Sequence, residues 1–215
     1  MRHQSSFKRG RGVKIKILLT LAACSIVAVG CAAPISDTES DRLGFESLKS
    51  SFKSQGQAGI DRLNQDEVQA ACSKYRNRLP QELAEKIQKS QLAAIKYPDK
   101  LMGDWRAGER IAQSGRGKQF TDDPANPAGG NCYACHQLAQ QELAFGTIGP
   151  SLNHYGKLRG ASEAMQRNTY GKIYNSEAYS VCSAMPRFGH NNILTGEQIA
   201  DLVDFLLNPE SPVNK

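Results

Sequence analysis

Cys132-Tyr133-Ala134-Cys135-His136 decides how the rest of the chain is read. Two intervening residues let one short turn present both thiols, and the imidazole follows directly. That spacing suits covalent attachment to the two vinyl-derived carbons of a haem, with His136 reaching the iron on the proximal side. A redox dithiol needs no adjacent histidine. A zinc site usually wants a second cysteine pair or more histidines, and only His3, His154 and His190 remain in the 215 residues. The motif predicts one covalently attached haem c and hence electron transfer, with zinc and a bare dithiol as the alternatives.

Working outward, the N-terminus reads as a targeting segment. Arg2, Lys8, Arg9, Arg11, Lys14 and Lys16 are followed by an apolar run from Ile17 to Val29, too short to be a membrane span, and then by small residues. Residues 1–30 are therefore expected to be an export signal. Ala28-Val29-Gly30-Cys31 resembles a bacterial lipobox with Ala in place of Leu at its first position, which makes Cys31 a candidate for lipidation and membrane anchoring. Ordinary cleavage around Ala32-Ala33 is the alternative. The chain has 27 Lys+Arg against 21 Asp+Glu, but residues 1–30 hold six of the basic residues and no acidic one, leaving 21 of each sign. A near-neutral mature chain gives no reason to expect nucleic-acid binding.

Residues 31–63, rich in Ser, Gly, Asp and Lys, are expected to be a flexible tether. Residues 64–100 read as a helical extension. Val68, Ala71, Cys72 and Tyr75 recur at helical spacing, and Pro80 can open a second helix containing Leu83, Ala84, Ile87 and Gln91. Residues 101–215 hold the haem motif. Asp104 to Ser114 predicts a helix capped by Asp104, and Ala161 to Asn168 another. Near the C-terminus Thr195 and Gln198 form a capping-box pair, and Ile199, Leu202, Val203 and Leu206 form a stripe that stops at Asn208-Pro209.

The iron needs a sixth ligand. Met102 precedes the motif, and Met165 lies in a helix where a methionine is more often core filler. Met185, stiffened by Pro186, is the favoured ligand, with His154 and His190 as alternatives. A thioether is a soft, weak donor that raises the reduction potential and completes the coordination sphere.

A small helix, the CxxCH motif, a long middle, a methionine and a closing helix follow the order of a class I cytochrome c. This resemblance implies an all-α fold in which the first and last helices of the domain cross, with Gly108 permitting close approach. It also assigns the carbonyl of Pro150, in Gly146-Thr147-Ile148-Gly149-Pro150-Ser151-Leu152, as acceptor for the His136 Nδ1–H, and Leu152 as a porphyrin contact. Export would place Cys72 and Cys182 in an oxidising compartment, where they are expected to pair; one free reactive thiol is the alternative.

Further segments are more specific: Met185-Pro186-Arg187-Phe188-Gly189, Leu194-Thr195 with Gln198-Ile199 and Asp201-Leu202, and Leu207-Asn208-Pro209-Glu210-Ser211-Pro212-Val213-Asn214. Over about Ala107 to Asn214 the chain resembles the SoxX cytochrome subunits of the bacterial sulfur-oxidation system. The resemblance implies a SoxA-like cytochrome partner, dihaem or monohaem, holding the catalytic centre of an L-cysteine S-thiosulfotransferase complex. It also implies transient contact with a SoxY-like carrier and a soluble cytochrome acceptor, in the periplasm. Thiosulfate conjugation to the carrier cysteine releases two electrons, and this chain would relay them one at a time, with no catalytic residue of its own. Two other functions fit the haem motif: a stand-alone cytochrome c feeding a terminal oxidase, and a docking subunit that haem merely stabilises.

Overall fold

A computed structural model describes residues 36–215; the expected export signal over residues 1–30 and the lipidation candidate Cys31 lie outside the described residues. The chain divides at Leu48 into two units. The first described helix, α1 (Asp37–Ser51), starts with Asp37 and Glu39 in its first turn and buries none of its residues. Arg42 bridges Glu39 and Glu46 at 2.7 and 2.8 Å along its surface. Composition predicts an irregular tether here, and the structure corrects that to a helix. Intrahelical ion pairs and acidic residues at the helix N-terminus support helical geometry without tertiary burial, a local effect that a Ser- and Gly-rich reading overlooks.

From Lys49 onward the second unit contains α2 (Glu67–Lys74), α3 (Gln81–Ala93), α4 (Trp105–Gln113), α5 (Tyr155–Arg159), α6 (Glu163–Tyr174) and α7 (Gly196–Leu207). Short 3-10 turns lie at Ile60–Leu63, Cys132–Ala134, Ser176–Ala178 and Pro212–Asn214. An isolated bridge between Gln55 and Ala58 is the extent of β pairing among the described residues, so the fold is all-α. No helix among them is long and apolar enough to cross a membrane.

The helix boundaries follow from side-chain chemistry. Asp104 accepts from the Arg106 N–H at 2.9 Å and opens α4. Thr195 and Gln198 cap α7 reciprocally, at 3.2 and 3.0 Å. Asp66 and Gln69 form an equivalent box on α2. The helix expected over Ala161–Asn168 runs on to Tyr174, because Tyr170 and Ile173 are buried in the main core.

α4 crosses α7 at Gly108. A Cβ there would lie 2.2 Å from the Asp201 carbonyl oxygen and 2.8 Å from Phe205 Cβ, so the two backbones meet where no side chain fits. Asp201 Oδ1 also accepts from the Asp104 N–H at 2.8 Å, tying the start of α4 to α7. The buried face of α7 (Ile199, Leu202, Val203, Phe205, Leu206) joins Ala112, Tyr133, Leu138, Tyr170, Phe188 and Val213 in the main core.

The residues after α7 lock onto the domain. Asn214, almost wholly buried, donates to the carbonyls of Leu206 and Asn208 and accepts from the Gly156 and Lys157 N–H groups. The buried Ser211 hydroxyl donates to the Phe205 carbonyl. The Pro209 to Asn214 segment thus satisfies orphan carbonyls at the end of α7 and amides at the start of α5.

Candidate haem site

The motif is shaped by local backbone geometry. Asn131 takes a left-handed conformation (φ 47°), and the Cys132–Ala134 turn follows. The N–H groups of Cys135 and His136 then donate to the Cys132 carbonyl at 3.1 and 2.9 Å. Cys132 and Cys135 are both half-buried and unbridged. Burial pushes the Cys132 thiol up to about 12, with the Cys135 thiol adding to the shift. Reactive CxxC dithiols depend on a lowered thiol pKa, so the environment runs against the redox-dithiol alternative. Among the described residues no group of three or more His, Cys, Asp and Glu side chains gathers as a zinc site would require.

A second strand of chain runs back beside the motif. The N–H groups of Gly146, Gly149 and Leu152 donate to the carbonyls of Tyr133, Cys135 and Gln137 at 2.8 to 2.9 Å. Asn153 Nδ2 adds a bond to the Leu138 carbonyl at 3.0 Å. This backbone zipper brings the Pro150 carbonyl to 2.7 Å from His136 Nδ1. With Nδ1–H donating to that carbonyl, the Nε2 lone pair is the one left to bind a metal. Gly149 makes the approach possible: a Cβ there would sit 2.2 Å from His136 Cε1.

The remaining candidates are spread around the same core. Met185, Leu152 and Cys132 all pack, partly buried, against the main apolar cluster. The Met185 carbonyl accepts from Ser176 Oγ at 2.6 Å, and its N–H donates to Ser183 Oγ at 3.2 Å. Met165 receives the Tyr155 hydroxyl at 3.9 Å from its sulfur, in keeping with a packing role. His154 Nε2 lies 3.2 Å from Gln140 Nε2. His190 Nε2 faces Asp66 at 3.9 Å; burial and the nearby Arg187 lower its pKa despite that carboxylate.

Cys72 and Cys182 are joined in a disulfide. Arg187, only 5% exposed, places Nη2 2.5 Å from Asp66 Oδ2. Its Nη1 is buried without a protein partner. Sequence reasoning passed over Asp66 and Arg187 as a pair because 121 residues separate them and neither lies in a ligand motif; a charged residue directly after Met185-Pro186 was the available signal.

The donor set and its supports fit a covalently bound haem: two adjacent, unbridged thiols and an imidazole with one nitrogen already committed. With the α4–α7 crossing, they define a class I cytochrome c domain. Residues 114–209 match the model of the cytochrome c family, a family that implies covalent haem c. A protein of Aquifex aeolicus (strain VF5) described as an uncharacterized lipoprotein is 42% identical over 156 residues, 70% of this chain and 73% of that protein, and the chain belongs to the same family. The crystal structure of SoxXA from P. pantotrophus is similar at 25% identity over 50% of this chain and 82% of that one, with a TM-score of 0.35, too loose a superposition to carry an argument.

Proposed function

We propose that the chain is a monohaem c-type cytochrome of the SoxX kind, relaying electrons for a catalytic partner. The observation that carries the haem reading is the 2.7 Å contact between His136 Nδ1 and the Pro150 carbonyl beside two unbridged thiols. Cys132 and Cys135 would hold the haem through thioethers, His136 would bind iron through Nε2, and Leu152 would contact the ring. Met185, packed against the main core and followed by Pro186, is the favoured sixth ligand. Arg187 Nη1 offers a buried, unpartnered donor for a haem carboxylate. When bound, the haem supplies a one-electron iron couple, and a thioether on the sixth position favours its reduced form.

The Met185-to-Gly189 and Leu207-to-Asn214 segments support the assignment to the SoxX kind. On that reading a SoxA-like cytochrome carries the chemistry, and a SoxY-like carrier and a soluble cytochrome are transient partners. Leu143 and Ile148, 91% and 79% exposed, lie on the chain that runs back beside Cys135 and His136 and offer apolar contact for another protein. The name of the Aquifex relative supports lipidation of Cys31 and a periplasmic, membrane-anchored location.

The test is co-purification of the full chain with its partners, followed by visible spectroscopy during addition of thiosulfate and carrier protein. The haem of this chain should become reduced, and Met185→Ala should lower that reduction. Purification without a second haem protein would favour a stand-alone cytochrome, and undiminished turnover with folded Met185→Ala would favour a structural subunit. Failure of thiosulfate to reduce the haem in the assembled complex sinks the relay reading.

A further inference from the structure

The helical extension has little core of its own. On α2 and α3 the buried apolar side chains Val68, Cys72 and Ile87 cluster with Leu79, Leu83, Val181 and Cys182, so part of that small core comes from the chain just before Met185. Cys72 on α2 is covalently joined to Cys182. On the other side of Met185, Arg187 pairs with Asp66, the N-cap of α2. From α3, Gln91 Oε1 accepts from Asn175 Nδ2 at 2.9 Å, and Gln88 Nε2 donates to the Tyr179 carbonyl at 3.4 Å. The extension therefore grips the segment 175–187 both before and after the methionine.

We propose that residues 66–91 brace the Met185 loop, with Asp66, Arg187 and the Cys72–Cys182 bond as positioning elements that hold the thioether on the iron. The inference rests on Met185 being the sixth ligand. The physical need is specific. A thioether binds oxidised iron weakly, so its retention depends on how rarely the loop carrying it swings away. Each restraint on the loop lowers the population of the open form, and a competing ligand sees only that population. Inside the loop, Ser176, Ser183 and the Glu177 contact to the Cys182 N–H fix local shape; the brace ties that shape to α2 and α3.

The experiment uses full-length holoprotein and two variants, Cys72→Ser with Cys182→Ser, and Asp66→Asn. Asn is an equally good N-cap, so the second variant removes the ion-pair charge while α2 keeps its start. Imidazole is titrated into the ferric proteins well below their melting temperatures, and the methionine-to-iron charge-transfer band is followed in parallel. The brace predicts an imidazole affinity higher by about tenfold in each variant, the effect of a tenfold larger open population, and a weaker charge-transfer band. A wild-type protein with the band, alongside folded Asp66→Asn showing unchanged band and unchanged imidazole affinity, overturns the brace and leaves the Met185 ligation intact. A wild-type protein lacking the band overturns the ligation and the brace with it.

Discussion

Gly149→Ala puts one methyl group against the imidazole on which the site depends. The new Cβ would lie 2.2, 2.5 and 2.7 Å from Cε1, Nδ1 and Nε2 of His136, whereas carbon atoms rest at about 3.5–4.0 Å. More than about 1 Å must therefore be found. The ring cannot give way freely, since Nδ1 is bound to Pro150 at 2.7 Å; the backbone is equally held, by the Gly149 N–H on the Cys135 carbonyl at 2.9 Å. Overpacking of this kind costs about 1–3 kcal/mol, and losing the Pro150 contact adds about 0.5–1.5 kcal/mol. A destabilisation of about 2–4 kcal/mol is expected in urea unfolding of the holoprotein. The reduction potential should also rise, because the Nδ1 hydrogen bond increases the imidazole's donor strength toward oxidised iron. A variant within about 0.5 kcal/mol of wild type, at unchanged potential, would refute the close packing of Gly149 on His136.

Gly108→Ala meets backbone rather than a ring, with Cβ 2.2 Å from the Asp201 oxygen. α4 and α7 must separate, and a loss of about 2–3 kcal/mol should appear as a lower melting temperature by circular dichroism. Asn214→Ala removes four hydrogen bonds of one buried side chain at once; about 2–4 kcal/mol is expected, with faster hydrogen exchange at the Gly156 and Lys157 amides as the specific signature. Asp66 is opposed by burial, but the Gln69 N–H and Arg187 outweigh it and hold the carboxyl below its ordinary value of 3.8. A depressed folded pKa contributes stability above the unfolded pKa and loses it as pH falls through the folded one. The stability advantage of wild type over Asp66→Asn should accordingly be present at neutral pH and fade as pH falls below 3.8, in acid unfolding curves. Glu177 and Asp204, raised by burial, act in the opposite sense and are common to both proteins.

What could be read from the sequence was local, or carried by a resemblance with a known topology. The Thr195–Gln198 box and the Asp104 cap are short-range chemistry, legible because partner and cap lie within three residues. The crossing at Gly108 and the Pro150 acceptor came with the class I resemblance, since periodicity places a helix but not its neighbour. Of the grip of α2 and α3 on the Met185 segment, the Cys72–Cys182 pairing was legible and the side-chain contacts of Asp66, Gln88 and Gln91 were not. Asp66 and Arg187 look like any surface charges until the fold buries one of them. Asn214 likewise reads as a polar residue near a helix end, and its role emerges when α5 is packed against that end. α1 was missed for a different reason: its support is a set of weak ion pairs, and composition averages them away.

The two pairs of cysteines impose a sorting problem on maturation. Four thiols meeting an oxidant can pair in three ways, and one of them, Cys132 with Cys135, would close the attachment point before any cofactor arrives. The fold separates the fates of the pairs. Cys72 and Cys182 are brought to a Cα separation of 5.5 Å and joined, while Cys132 and Cys135 stay unbridged. With Cys72 and Cys182 joined, neither is a free thiol that could pair with Cys132 or Cys135. By engaging Cys182, Cys72 of the extension withdraws a competing thiol from the pair that the proposed haem would use.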